Sequence, residues 1–362
     1  MDIYEMFRTA RTRNASDVSL IVNSPPLLRI YGILEPIEGL APLTAEDVFE
    51  AFSQLTTAEQ RAVFQEQMEL DFGYTVPDVG RLRCNAAQQL NGISLAIRLL
   101  PAVIPTIDEL ELPQIYKDLV KELRGLIIVS GPTDSGKTTT MAAMVHHMNV
   151  TTGHHIVAIE DPIEYVHTSI KSAITQRQLG SHTSSFARAL KHVLRQNPDV
   201  ILVGEIRDLD TAAAVLSIAE TGHLVLSTSH AASAPQAIER IVDMFPLHER
   251  HLSETRLASL LVAVVCQTLI PRADGSGRIA AVEIMVANPP VRSLIRDGKF
   301  YQLPNVIRTH HDEGMISFDE SLVDLYHSQI ITYETLSAFC KDNDEVLKII
   351  TSESRGKKEK HR

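Results

Sequence analysis

The segment Gly131-Pro132-Thr133-Asp134-Ser135-Gly136-Lys137-Thr138 matches G-x-x-x-x-G-K-[ST]. In that pattern the glycines let the main chain curl until successive N–H groups point inward at a phosphate chain. Lys137 then reaches the β- and γ-phosphate oxygens, and the Thr138 hydroxyl is placed to bind Mg2+. A helix that starts at the loop, running on through Thr139, adds its positive end at the same spot. The candidate ligands are therefore ATP and Mg2+, held by residues 131–139 with Thr138 on the metal. Asp134 is out of keeping with this chemistry. At about 6 Å and an effective dielectric near 20, a carboxylate facing a phosphate costs roughly 3 kcal/mol. A side chain turned to solvent would lower that cost, and aspartate accepts left-handed backbone better than most residues do.

Three further segments carry groups that could act on a bound triphosphate. Asp199-Val200-Ile201-Leu202-Val203-Gly204-Glu205 reads as a buried strand ending in an acid. In phosphate-loop enzymes a neighbouring strand ends beside the phosphates, where an acid binds Mg2+ through water or orients the attacking water. Glu205 is the candidate water-activating base, with Gly204 where a plain Walker B strand would place Asp. Ile159-Glu160-Asp161-Pro162-Ile163-Glu164 ends another apolar strand with three acids in five residues. Glu160, Asp161 and Glu164 could hold the waters of a metal, although Asp-Pro is also an ordinary turn. Thr221 to His230 is a strand bracketed by His223 and His230. A histidine beside the γ-phosphate could sense its charge, and either histidine also fits a hydrogen-bonded structural role. His248-Glu249-Arg250-His251 lacks the spacing of a zinc-binding HExxH helix, because His251 arrives one position early. It reads as a solvated helix.

Near-continuous apolar runs at Leu126–Val129, Ile156–Ile159, Val200–Val203, Leu224–Leu226 and Ala280–Ile284 alternate with helical segments such as Thr139 to Met148. Strands that are apolar on both faces and separated by helices indicate a mostly parallel sheet covered on both sides. The chain before residue 99 is patterned differently. Residues 1–13 read as a helix. Val18, Leu20 and Val22 alternate as a strand, Asn23-Ser24-Pro25-Pro26 turns the chain, and Leu28, Ile30 and the apolar run around Gly32 return it. Thr44 to Gln67 reads as one capped helix, with Val48, Ala51, Phe52 and Leu55 at helical spacing. Residues 81–85 and 93–98 read as further strands. The expected organisation is an α+β N-terminal domain over 1–98 and a linker over 99–113, punctuated by Pro101, Pro105 and Pro113. An α/β domain follows over 114–350, opening with a helix from Tyr116 to Leu123 and closing with helices from Ile316. Residues 351–362 are expected to be a disordered basic tail.

The 362 residues are 44% apolar and 22% charged, which excludes a collagen, a coiled-coil rod or a wholly disordered chain. Cys84, Cys266 and Cys340 are far apart and form no CxxC pair. That argues against a disulfide framework and a zinc ribbon, and fits a reducing compartment. Thirty-four basic and 45 acidic residues give a net charge of −11, which opposes non-specific binding to a phosphate backbone. With no Trp and 5% aromatics, little is on hand to stack bases in a nucleic-acid channel. The start has no apolar signal core. The longest apolar stretch, Leu257 to Ile270, has 14 residues where a membrane span needs about 20. The expectation is a soluble cytoplasmic protein that binds no nucleic acid and no zinc, and meets membranes only by peripheral docking.

In order along the chain, the phosphate loop, Ile159–His167, Asn197–Asp208 and Thr221–His230 resemble the Walker A loop, Asp box, Gly-Glu Walker B strand and His box of the secretion-ATPase superfamily of ring-forming motors. Within it they are most similar to the PilT-type pilus retraction ATPases. The resemblance extends from Ala15-Ser16-Asp17 to Gly314-Met315. It implies a PAS-like N-terminal domain followed by a RecA-like phosphate-loop NTPase domain, a homohexamer, and ATP bound between the two domains of a subunit. It also implies that arginines of the N-terminal domain reach the nucleotide. Arg81 and Arg98 match those positions, Arg83 less well, and a guanidinium with permanent charge and a bidentate fork suits that task.

Pro290-Val291-Arg292-Ser293-Leu294-Ile295-Arg296-Asp297 is similar to the Ala-Ile-Arg-Asn-Leu-Ile-Arg-Glu motif of the retraction branch, with Ser293 and Asp297 departing. The four-cysteine zinc insert common in extension and export motors has no counterpart in the sequence. The resemblance therefore implies a hexameric ATPase at the cytoplasmic face of the inner membrane. Such a motor would turn a PilC-like platform protein and return pilins to the membrane. The departures at Ser293 and Asp297, with Asp134 and with Ser229-His230-Ala231 in place of Leu-His-Thr, leave room for an accessory, PilU-like retraction paralogue. The other readings are a type II or type IV secretion assembly ATPase, a nucleic-acid translocase, and a ring subunit that binds nucleotide without turnover.

Overall fold

The computed structural model describes residues 2–30, 32–101, 103–343 and 346. The chain divides into two compact units, Met1–Ile104 with Pro162–Val166, and Pro105–Asp161 with His167–Arg362. The basic tail expected over 351–362 lies outside the described residues. No helix among the described residues is long and apolar enough to cross a membrane.

The first unit contains α1 (Ile3–Thr12), β1 (Asp17–Leu20), β2 (Leu27–Ile30), β3 (Ile33–Pro36), α2 (Ala45–Leu55), α3 (Ala58–Gln67), β4 (Glu69–Val76), β5 (Gly80–Gln89) and β6 (Gly92–Leu99). Its six strands lie in the order β3-β2-β1-β6-β5-β4, every neighbouring pair antiparallel. Strand side chains alternate between faces. Leu82, Cys84 and Ala86 of β5 and Leu95 and Ile97 of β6 are buried with Phe7, Phe52 and Phe64 of the helices. The alternate positions carry the polar residues, among them Arg81, Arg83 and Arg98. Burial pushes the Cys84 thiol up to about 12, so it stays protonated.

The single helix expected from Thr44 to Gln67 is two. Thr56 leaves helical geometry, and Thr57 starts α3 with a capping box in which Gln60 answers its main-chain N–H. Each threonine offers the backbone a local hydrogen bond that competes with the helix, which an apolar-period count does not register. The Phe52 and Phe64 rings, 4.8 Å apart, hold the two helices together across the break. Strand β4, not anticipated, is an edge strand that among the described residues pairs only with β5.

The second unit contains α4 (Ile115–Leu119), β7 (Gly125–Ser130), α5 (Lys137–Thr151), β8 (His155–Glu160), β9 (Ala173–Gln178), α6 (Phe186–Val193), β10 (Val200–Val203), α7 (Leu209–Glu220), β11 (Leu224–Ser229), α8 (Ala234–Asp243), α9 (Arg250–Leu260), β12 (Leu261–Pro271), β13 (Arg278–Val286), α10 (Pro289–Arg296), α11 (Leu303–Thr309), α12 (Phe318–His327) and α13 (Tyr333–Phe339). Among the described residues its seven strands run β13-β12-β7-β11-β10-β8-β9, parallel except for β13. Both faces are covered. Leu126 and Ile128 of β7 pack with α6 to α11, whereas Ile127 and Val129 pack with α4 and α5. This two-sided burial is why the strands read as unbroken apolar runs.

The apolar stretch Leu257–Ile270 is the end of α9 followed by β12, a change of element that composition alone conceals. The opening helix is shorter than expected, ending at Leu119. The helical stretch expected from Ile316 is broken between α12 and α13, where Gln329 takes a positive φ and Thr332 caps the next helix. Phe318, Leu322 and Leu336 of these helices bury Ile270, Ile279 and Ala281 of the last two strands.

Gly125 starts the strand that leads to the phosphate loop. Its φ is +117°, and a Cβ there would stand 2.7 Å from the Leu260 carbonyl oxygen and from Val262 Cγ2. Gly125→Ala should therefore destabilise the second unit by about 2 kcal/mol or more. The check is the urea midpoint of the variant against the parent, which an unstrained site would leave unmoved.

Candidate functional site

Strand β7 is buried along its whole length and delivers Ser130 to the sheet edge, where the phosphate loop begins. At Gly131 a Cβ would collide with the Gln267 carbonyl oxygen and stand 2.6 Å from Ser135 Oγ, so only glycine fits between the loop and β12. Asp134 is exposed and left-handed at φ +61°, the condition under which an acid in this loop costs least. Gly136 is left-handed too and caps α5, whose first turn carries no acid to oppose an anion. Lys137 is buried, and its Nζ donates to the Gly131 carbonyl at 2.9 Å and the Pro132 carbonyl at 2.6 Å. The Ser135 carbonyl accepts from Gln267 Nε2 at 2.7 Å. Ser135 Oγ itself is buried without a hydrogen-bond partner.

The other segments end at the same edge. Ser229 lies opposite Ser130, and Val203 lies opposite both Ser227 and Ile159. Hydroxyls join these strand ends. Ser130 Oγ donates to the Ala231 carbonyl at 2.7 Å and accepts from its N–H at 3.0 Å. Ser227 Oγ donates to the Val203 carbonyl, and Thr228 Oγ1 to the Gly204 carbonyl. Gly204 N–H donates to the Ile159 carbonyl at 2.8 Å. Glu205 and His230 are thereby brought together although 25 residues apart, with Nε2 and Oε2 separated by 3.0 Å.

Glu205 is buried, and a buried carboxylate needs partners. Its second oxygen meets Arg207 Nε, and Arg207 also stands 3.8 Å from Asp161. Burial holds the His230 imidazole below its ordinary value, helped by the charges of Lys137, Arg240 and Arg207. A neutral ring at pH 7 can donate one hydrogen bond to Glu205 without neutralising it. Glu160 ends β8 and accepts from Gln176 Nε2 at 2.9 Å. His167, which closes the same acidic segment, is pushed down to about 4, chiefly by burial.

Glu160 and Asp161 belong to the second unit, and Glu164 to the first. Arg81 and Arg98 lie on β5 and β6 of the first unit. Arg98 pairs with Asp17 at 3.0 Å, and Arg83 lies directly opposite it across the strands. Arg81 donates to Thr75 Oγ1 at 3.2 Å. His223 is held by Thr221 and the Ile218 carbonyl, a structural role. His248 and His251 face Glu249 and Glu254 at an exposed helix start.

Two residues given no role by the sequence stand in this site, Arg207 and Gln267. The signal for Gln267 was available: one amide in an otherwise apolar run must find a hydrogen-bond partner if the run is buried. Thr138 begins α5 beside Lys137, so its hydroxyl can hold a metal together with phosphate oxygens. Among the described residues no group of three His, Cys, Asp or Glu side chains could hold a metal ion. Mg2+ bound through one hydroxyl, phosphates and water needs none.

Residues 29–291 match the family of type II/IV secretion system proteins. The chain is 41% identical over 332 residues to a twitching motility protein of Neisseria gonorrhoeae, covering 92% of this chain and 88% of that one. It is 41% identical over 334 residues to the type IV pilus retraction ATPase PilT of Pseudomonas aeruginosa, covering 92% and 96%. Among solved structures it is similar to the pilus retraction motor PilT with bound ADP. The TM-score is 0.90 at 38% identity, over 96% of this chain and 99% of that one.

The exposed, left-handed Asp134 predicts that Asp134→Gly binds MgATP as tightly as the parent or more tightly. Equilibrium titration with a fluorescent ATP analogue checks this, and a large loss of affinity would give the carboxylate a positive role.

Proposed function

The chain belongs to the type II/IV secretion system protein family, and from that premise we propose that it is an ATP-hydrolysing motor that powers type IV pilus retraction. The observation that carries the reading is the convergence of the phosphate loop, Glu205 and His230 on one sheet edge, in a chain that matches the ADP-bound retraction motor along nearly its whole length. The two curated relatives are named for twitching motility and pilus retraction, which supports this reading over a secretion assembly ATPase.

The loop N–H groups and Lys137 bind the phosphates. Thr138 would hold Mg2+, which supplies neutralisation of the β- and γ-oxygens. Glu205 accepts the proton of the water that attacks the γ-phosphorus, and the leaving oxygen departs on ADP. Arg207 and His230 orient the Glu205 carboxylate for that task. Only contacts that differ between the ATP and ADP states can do work. The γ-phosphate supplies such a difference through Lys137 and His230. Arg81 and Arg98 of the first unit carry permanent charge suited to phosphate. Six copies form the ring, stationed at the cytoplasmic face of the inner membrane. There the ring turns a PilC-like platform protein, and its contact with the membrane is by docking.

Glu205→Gln keeps size and hydrogen bonding but cannot take a proton. Steady-state turnover should fall at least about 100-fold, with MgADP affinity within about threefold of the parent. Undiminished turnover would remove Glu205 as the base.

A further inference from the structure

Gln267 sits in β12, on the opposite side of the loop from Glu205 in the strand order, and no element of the hydrolytic scheme above uses it. It is 2% exposed, and it touches the phosphate loop at both ends. Its main-chain oxygen closes the space beside Gly131. Its side-chain Nε2 donates to the Ser135 carbonyl at 2.7 Å and lies 3.2 Å from where a Cβ of Gly136 would stand. The donor assignment follows from chemistry, since a carbonyl can only accept. Its Oε1 is buried without a partner. An apolar strand would not keep an amide at that cost unless the donor side were needed.

A trans peptide places its oxygen and its N–H hydrogen on opposite sides. Fixing the Ser135 oxygen against β12 therefore turns the Gly136 N–H away from β12, into the hollow of the loop. Ser135 lies between left-handed Asp134 and left-handed Gly136, a stretch of chain with no helix or strand ladder to fix this peptide plane. We propose that Gln267 is a positioning residue for nucleotide binding, holding the 135–136 peptide so that the Gly136 N–H is aimed at the bound phosphates. The inference rests on the nucleotide reading above.

The test is Gln267→Met, which keeps the length and bulk of the side chain and removes both the donor and the orphaned oxygen. A second variant, Gln267→Glu, keeps the shape but sets a carboxylate against the Ser135 carbonyl. MgADP affinity is measured by titration, kcat and KM for ATP by steady-state assay, and the nucleotide-free melting temperature as the check on folding. The expected result is an affinity at least tenfold weaker in Gln267→Met and weaker still in Gln267→Glu. KM should rise while kcat at saturation stays within threefold, and the nucleotide-free melting temperature should stay near the parent's. Amide exchange in the nucleotide-free chain should quicken in the peptide spanning 131–138. A folded Gln267→Met that binds MgADP within twofold of the parent overturns the proposal. If Gln267→Met does not fold, Gln267→Glu decides on the same criteria. A parent protein that binds no MgADP overturns the nucleotide reading and this inference together, an outcome distinct from normal binding by parent and variant alike.

Discussion

The site depends on the hydrogen-bond register of four parallel strands. Strands β7, β11, β10 and β8 run side by side, with Ser130 opposite Ser229, and Val203 opposite Ser227 and Ile159. Parallel pairing puts all their carboxyl ends at one edge, so the phosphate loop, the acid after β10 and the histidine after β11 emerge together. A slip of one residue would turn every side chain of a strand to the other face and disrupt both cores. Two-sided burial therefore fixes the register, and the register fixes the chemistry. The hydroxyls of Ser130, Ser227 and Thr228 reinforce it by bonding main-chain groups of the next segment.

Charge is arranged around that edge with the same economy. Glu205 would be costly to bury alone, and Arg207 and His230 each take one of its oxygens. Lys137, Arg207 and Arg240 all disfavour a second proton on His230, and burial disfavours it most. The result is a neutral imidazole beside a carboxylate with a fixed orientation. Asp134, the one acid in the loop, is placed on its solvent side by a backbone conformation that few other residues tolerate.

Much of this was legible in the residues. The glycine-lysine-threonine spacing located the loop, and the apolar runs ending in Ser130, Glu160, Val203 and Ser229 located the sheet edge, because strands buried on both faces leave no polar gaps. What escaped was whatever depended on a distant partner or a local competitor for the backbone. Gln267 is 132 residues from the carbonyl it holds, so its role could not be read from spacing. The break between α2 and α3 turned on two threonine hydroxyls, and the change from α9 to β12 fell inside one apolar run. Arg98 was picked out by resemblance, and the structure adds that it faces Asp17 and Arg83 across the strands.

One nucleotide per chain is the stoichiometry that these scattered residues require. Calorimetric titration of the purified protein with MgADP tests it directly. The expected result is saturable binding at one nucleotide per chain that is abolished in Lys137→Ala. Heat indistinguishable from dilution, or binding that survives loss of the Lys137 ammonium unchanged, would contradict it.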